Sequence, residues 1–160
     1  MIKGINKYLF LIFFLFIWQI YACDRNLIYS ESRPMPSEEW NLDNVVSFEP
    51  QISDTVTSNN ISFFIRTGTS YPFRNIWLFV TTTSPAGKSI TDTVQYMLAS
   101  EKGKWYGKGF GDVHELNLPF KTNVFFPKTG EYSFKIRHGM RAETLKGVYD
   151  IGLRIERVKN

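Results

Sequence analysis

From Val45 to the C-terminus the chain is a succession of short stretches in which apolar and polar residues alternate, separated by glycine, proline, serine and asparagine. A period of two sends successive side chains to opposite faces of an extended strand, so such a chain can bury one apolar face only by forming sheets. In Asn60 to Thr67, for example, Ile61, Phe63 and Ile65 share one face while Ser62, Phe64 and Arg66 share the other. Ile76 to Val80 is apolar on both faces, which predicts a central strand or one whose outer face meets a partner. Ser84-Pro85-Ala86-Gly87-Lys88 reads as a hairpin loop, with Ser89 to Leu98 returning beside it. Tyr132, Phe134 and Ile136 alternate, as do Tyr149, Ile151, Leu153 and Ile155; Thr122 to Phe126 is a further strand. The expected fold is all-β, a single β-sandwich of seven or eight strands, immunoglobulin-like or jelly-roll-like. Gly130-Glu131-Tyr132 is similar to the entry of a tyrosine-corner strand. No helix longer than two turns is required, although His114–Asn117 and Arg141–Leu145 are places where short ones fit.

The first 23 residues obey a different logic. Lys3 and Lys7 precede an unbroken apolar run from Tyr8 to Trp18, and after Gln19 comes Ile20-Tyr21-Ala22-Cys23, which ends on the only cysteine of the chain. A spanning helix needs about 20 apolar residues, and this run is shorter. An ordinary secretory cut after Ala22 calls for a small side chain three positions before the break, where Ile20 is large and branched. A lipoprotein signal tolerates that residue and ends on cysteine. The expected organisation is therefore a lipoprotein signal peptide over 1–22, a lipidated N-terminus and flexible spacer over 23–39, and a β-sandwich over 40–160. Acylation of Cys23 would consume the one thiol and leave no disulfide, so the fold must rest on its core. Asp24 to Glu39, polar and holding Pro34-Met35-Pro36, would reach roughly 50 to 60 Å if extended.

Removing the leader leaves roughly 140 residues, one domain's worth. Of 19 lysines and arginines two lie in the leader, so 17 remain against 15 acids, scattered without a basic stripe. That balance argues against nucleic-acid binding. Nothing in the sequence calls for a cofactor, a metal or a small-molecule substrate. Gly107, Gly109 and Gly111 are spaced too closely for a dinucleotide fingerprint and are followed by Asp112, so they read as places where another backbone comes close. His114 and His138 stand in no diagnostic metal spacing. No serine or cysteine occupies a nucleophile pattern. Paired carboxylates depend on a separation that only the fold sets. The expectation is a protein that binds and does not catalyse.

Aromatic residues are the stronger candidates. Trp40, Tyr71, Phe73, Trp77, Trp105 and Tyr106 exceed what alternation alone places in one core. Such rings dominate protein interfaces and also make sugar-stacking platforms. Tyr71, Phe73, Trp77, Trp105 and Tyr106 are taken as partner-binding residues, with a surface glycan-binding sandwich as the alternative reading. Coplanar open rings would favour sugar, and an apolar patch would favour protein.

The order of Pro36 to Trp40, Asp54-Thr55-Val56, Tyr71-Pro72-Phe73-Arg74-Asn75-Ile76-Trp77-Leu78, Trp105 to Asp112, Phe126-Pro127, Gly130-Glu131-Tyr132, His138-Gly139-Met140-Arg141 and Leu145 to Glu156 resembles the gliding motility lipoprotein GldH family of Bacteroidota. The resemblance covers essentially the whole chain after the leader. It implies a lipid-anchored, non-enzymatic component of the cell envelope, facing the periplasm and favouring the outer membrane. Its implied partners are the membrane and other proteins of the gliding and type IX secretion machinery. Cys23 is the one functional residue it transfers. Asp54-Thr55-Val56 and Asp92-Thr93-Val94 are also similar to the O-glycosylation acceptors of that phylum, which makes Thr55 and Thr93 candidate glycan sites; the same residues are ordinary strand composition.

Overall fold

The computed structural model describes residues 25–159. The leader and Cys23 lie outside them. The described residues form thirteen strands: β1 (Leu27–Pro34), β2 (Glu39–Asn41), β3 (Val46–Phe48), β4 (Gln51–Ile52), β5 (Asn59–Thr67), β6 (Asn75–Thr83), β7 (Ser89–Met97), β8 (Lys108–Phe110), β9 (Val113–Val124), β10 (Gly130–Glu131), β11 (Ser133–His138), β12 (Thr144–Lys146) and β13 (Val148–Arg157). Seven of these, β1, β5, β6, β7, β9, β11 and β13, have six or more residues. They are the long strands of the sandwich; short β3 and β8 extend its sheets at their edges, and β2 with β12 and β4 with β10 are short pairings in its loops. A single 3-10 turn (Pro36–Glu38) follows β1.

One sheet has the order β1-β13-β5-β9-β8 and faces a second of order β3-β11-β6-β7, all pairs antiparallel. Register follows from the apolar alternation, because a slip of one residue would turn each buried face outward. Leu116, Ile65 and Ile151 form one inward row, and Leu118, Phe63 and Leu153 the next. Opposite them stand Val46, Ile136 and Val80, and Phe48 beside Phe134. All of these are buried, and together with Trp40 and Leu145 they make one core. Each such side chain contributes about 1.5–3 kcal/mol through removal from water.

Two details carry the sequence reading through. Tyr132 is buried, its hydroxyl donating to the Lys128 carbonyl at 3.0 Å, which is the back-bond of a tyrosine corner. A Cβ on Gly109 would collide with the Val113 carbonyl oxygen and one on Gly107 would meet that of Glu115 at 2.6 Å, so these glycines admit a neighbouring backbone.

Three expectations are corrected. Leu27–Pro34, read as part of a flexible spacer over 23–39, pairs along β13 from Leu27↔Glu156 to Pro34↔Asp150 and is an edge strand. Its polar residues, Ser30, Glu31, Ser32 and Arg33, blunt that edge. His114–Asn117 is strand within β9, where period-two burial of Leu116 and Leu118 outweighs any helical tendency. Arg141–Leu145 is a bend that enters β12, pinned by the pairing of Leu145 with buried Trp40.

Candidate functional site

Five strands run one way and their neighbours the other, so the sandwich has two ends. At the first lie Arg25, the 53–58 loop, the β6–β7 hairpin and residues 124–132; at the second lie residues 68–74, 98–107 and 139–147. Between the ends run two seams where edge strands of the facing sheets meet.

At the second end the structure brings three of the singled-out aromatics together. Tyr71 stands edge-on to Phe73 at 5.8 Å and tilted against Trp105 at 6.3 Å, while Trp105 stacks on His114 at 5.3 Å. Tyr71 itself is buried, its hydroxyl donating to the Asn75 carbonyl at 2.9 Å, and burial pushes its pKa up. Phe73 and Trp105 are half-buried. Tyr71, Phe73 and Trp105 thus act first as a packed plug, and Tyr71, taken from the sequence as a partner-binding residue, lies inside the fold. The rings meet at 75° and 57°, so they form no coplanar stacking surface. Trp40 is likewise core, its indole N–H donating to the Asn44 carbonyl at 2.8 Å. It packs edge-on against the His138 ring at 5.5 Å. Burial pushes the His138 pKa down, and the nearby Trp40 and Glu143 backbones offset this in part.

Trp77 and Tyr106 are exposed, at 39% and 63%. Trp77 lies on the outer face of β6, where its backbone N–H donates to the Met140 sulfur at 3.3 Å. Arg137 covers neighbouring Phe79, its guanidinium carbon 5.3 Å from the ring centre. Tyr106 is elsewhere. A turn with Gly103 N–H donating to the Ser100 carbonyl (3.0 Å) sends the chain back along β7, and Tyr106 N–H donates to Leu98 (2.9 Å), which sets the ring at the mouth of a groove.

That groove, of about 610 Å³, is lined by Tyr96, Met97, Tyr106, Lys108, Glu115 and Leu116 to Pro119. It exists because β8 pairs only with Val113 to Glu115, which leaves the rest of β9 an edge facing the edge of β7. The inward row of β7, Ile90, Asp92, Val94 and Tyr96, therefore stays partly open, with Ile90 58% exposed. Two bonds span the gap: Tyr96 hydroxyl to the Pro119 carbonyl at 2.8 Å, and Lys121 to Asp92 at 3.1 Å. Toward the first end an apolar recess of about 240 Å³ continues past Phe120, Phe125 and Ile90. The sequence reading missed Tyr96, Met97, Ile90 and Phe125. Alternation along β7 carried the signal, in an apolar face that no following strand is placed to cover.

Thr93 is exposed on the outward face of β7, and Thr55 is half-buried. Asp54, which precedes Thr55, accepts hydrogen bonds from the Thr57 hydroxyl (2.6 Å) and the N–H groups of Val56 and Thr57 (2.8 and 3.1 Å), which hold its pKa down at about 2. Among the described residues no three His, Cys, Asp or Glu side chains converge as a metal site, and no helix is long and apolar enough to cross a membrane.

The family model described as GldH lipoprotein matches residues 27–155. A gliding motility lipoprotein GldH homolog of Christiangramia forsetii is 34% identical, over 92% of this chain and 96% of its own. The gliding motility lipoprotein GldH of Flavobacterium johnsoniae is 32% identical, over 86% of this chain and 89% of its own. Among solved structures, TmCBM61 in complex with β-1,4-galactotriose matches 81% of this chain and 82% of its own at 12% identity, with a TM-score of 0.36.

Proposed function

Because the chain belongs to the GldH lipoprotein family, a family of gliding motility lipoproteins, we propose that it is a non-enzymatic scaffold of the gliding and type IX secretion machinery, held to the membrane through acylated Cys23. It binds a protein partner along the open β7/β9 seam. The observation that carries this reading is the groove itself: an unpaired strand edge beside Tyr96, Met97 and 63%-exposed Tyr106, where the other seam is covered by Tyr29 and Arg33 over Phe48. Edge strands left long and open are templates for another chain, and aromatic residues at such places are the usual hot spots.

The assembly faces the periplasm, with the outer membrane favoured over the inner. Two acyl groups on Cys23 give durable attachment where one would be marginal. Thr93, exposed on β7, is the better placed of the two glycan acceptors, since the Asp54 carboxylate before Thr55 has a turn to hold.

The test is a photo-cross-linking residue at position 106 or 97 in the native envelope. One discrete partner adduct is expected, and its yield should fall about 30-fold when Tyr106 is changed to alanine in a 97-linked protein, the effect of losing a hot spot of about 2 kcal/mol. Unchanged adducts after Tyr106→Ala reject the seam as the interface. For the anchor, Cys23→Ser should abolish labelling by palmitate and release the protein from the membrane; a labelled, retained Cys23→Ser protein rejects it.

A further inference from the structure

Pairing of β1 with β13 begins at Leu27, and the described chain begins at Arg25, whose carbonyl accepts from the Arg157 guanidinium at 3.3 Å. One residue, Asp24, separates Arg25 from Cys23, so the two are two residue steps apart. Covalent geometry limits that stretch to about 7 Å, and the four residues from Cys23 to Leu27 to about 14 Å. Headgroups occupy only some 5 to 8 Å on each side of the hydrocarbon. A lipid on Cys23 therefore pulls the first end of the sandwich down to the headgroups. It cannot leave the domain standing off on a spacer.

The surface of that end suits such a place. The Asp54–Thr57 turn projects Val56, which at 83% is the most exposed large apolar side chain among the described residues. The turn is rigid, since Asp54 holds the backbone N–H groups of Val56 and Thr57 and lies 3.9 Å from Arg157. It is tied to the anchor strand as well: Arg157 N–H donates to Asn26 (2.8 Å) and Val158 N–H to Ser58 (2.9 Å). Around it at the same end stand exposed cations, Arg25, Lys88, Lys128 and Lys159. The acids at this end are fewer, Glu49 and Glu131 exposed and Asp54 engaged in its turn. Phe125, 60% exposed, adds a second apolar tip.

We infer that this end is a membrane-contact face, in which Val56 enters the interface of an anionic bilayer and the surrounding lysines and arginines meet its headgroups. The inference rests on lipidation of Cys23. Basic residues near an anionic leaflet gain from its surface potential, and apolar tips gain from burial among acyl chains. The contact fixes which way the molecule points. The groove at Tyr106 and the second end then face away from the membrane.

The acylated protein offers a direct test, because lipidation uses its one thiol and an introduced cysteine becomes the single labelling site. Val56→Cys, or Asp112→Cys in the turn at the far end, is labelled with an environment-sensitive dye and reconstituted in phosphatidylethanolamine vesicles containing about one-quarter phosphatidylglycerol. Expected are blue-shifted emission at 56 and quenching by spin-labelled lipid at least about fivefold stronger at 56 than at 112. Lys88→Glu with Lys128→Glu and Lys159→Glu should reduce the shift at 56 on these vesicles and leave it unchanged on uncharged ones. A dye at 56 that is quenched by aqueous iodide as readily as one at 112, on protein that carries lipid at Cys23, overturns the contact face alone. Protein with no lipid on Cys23 overturns the anchor and this inference together. A glycan on Thr55 in native protein also overturns it, because a sugar there would stand between the turn and the bilayer.

Discussion

The two seams of the sandwich solve one problem in opposite ways. At the β1/β3 seam Tyr29 stands edge-on to Phe48 at 6.5 Å, the Arg33 guanidinium lies 5.4 Å over the same ring, and Glu31 pairs with Arg33 at 2.7 Å. Phe48 is fully buried as a result. At the β7/β9 seam two bonds cross an open groove, and Ile90, Met97, Tyr106 and Phe125 remain exposed. Both seams join two edge strands, but β3 has three residues where β7 has nine. A short edge is closed cheaply by side chains; a long one needs another strand or a partner.

The largest contrast is expected from truncation at the closed seam. Phe48→Ala should cost about 3–5 kcal/mol, read as a shift of the urea midpoint, because a fully packed ring leaves a cavity. Met97→Ala, at 48% exposure, should stay within about 0.5 kcal/mol. Equal losses would mean that the open seam is as well packed as the closed one.

Smaller is the effect of the strap. Tyr96→Phe should cost about 1 kcal/mol by removing the hydroxyl bond to Pro119, and hydrogen exchange at β7 should speed up before that of β5. Cutting Lys121→Met should change stability by less than about 1 kcal/mol, since a partly exposed pair is weak. A Tyr96→Phe protein with unaltered exchange would show that the groove is held open by its strands alone.

Ionisation sharpens the comparison at little cost in stability near neutral pH. Burial, then the hydrogen bond and charge of Glu31, push Tyr29 up to about 12, while burial alone pushes Tyr96 to about 12. Both folded values lie above the unfolded value of about 10, so the stabilisation is complete below pH 10 and is lost as pH rises from 10 to 12. Glu31→Gln should lower the Tyr29 midpoint in a phenolate absorbance titration and leave Tyr96 unmoved. A shift at both would show that the seams are coupled.

The same contrast explains what could be read in the chain before its structure. β5, the β6–β7 hairpin, β11 and β13 were legible because their inward faces are apolar at every second position. β1 was not, because a protective edge strand replaces that pattern with Ser30, Glu31, Ser32 and Arg33, which resemble a linker. Tyr71 misled for another reason. It lies in a loop outside the alternating strands, and the bond of its hydroxyl to the Asn75 carbonyl lets the ring be buried there. Trp40 was drawn into the core by its pairing partner Leu145, more than a hundred residues away in sequence. The groove depends on β8 beginning only at Lys108, opposite Glu115, so that Leu116 to Pro119 have no strand of this sheet beside them on that edge, and no local pattern announces it.

The pairing of β1 along β13 has a mechanical consequence. Tension between the lipid and a partner held further up the sandwich runs nearly parallel to these strands, while their hydrogen bonds lie across it. The ladder from Leu27 to Pro34 is then loaded in shear, with every rung sharing the force at once. Peeling the rungs apart one by one would require a pull at right angles, a direction that an anchor at the start of β1 does not supply.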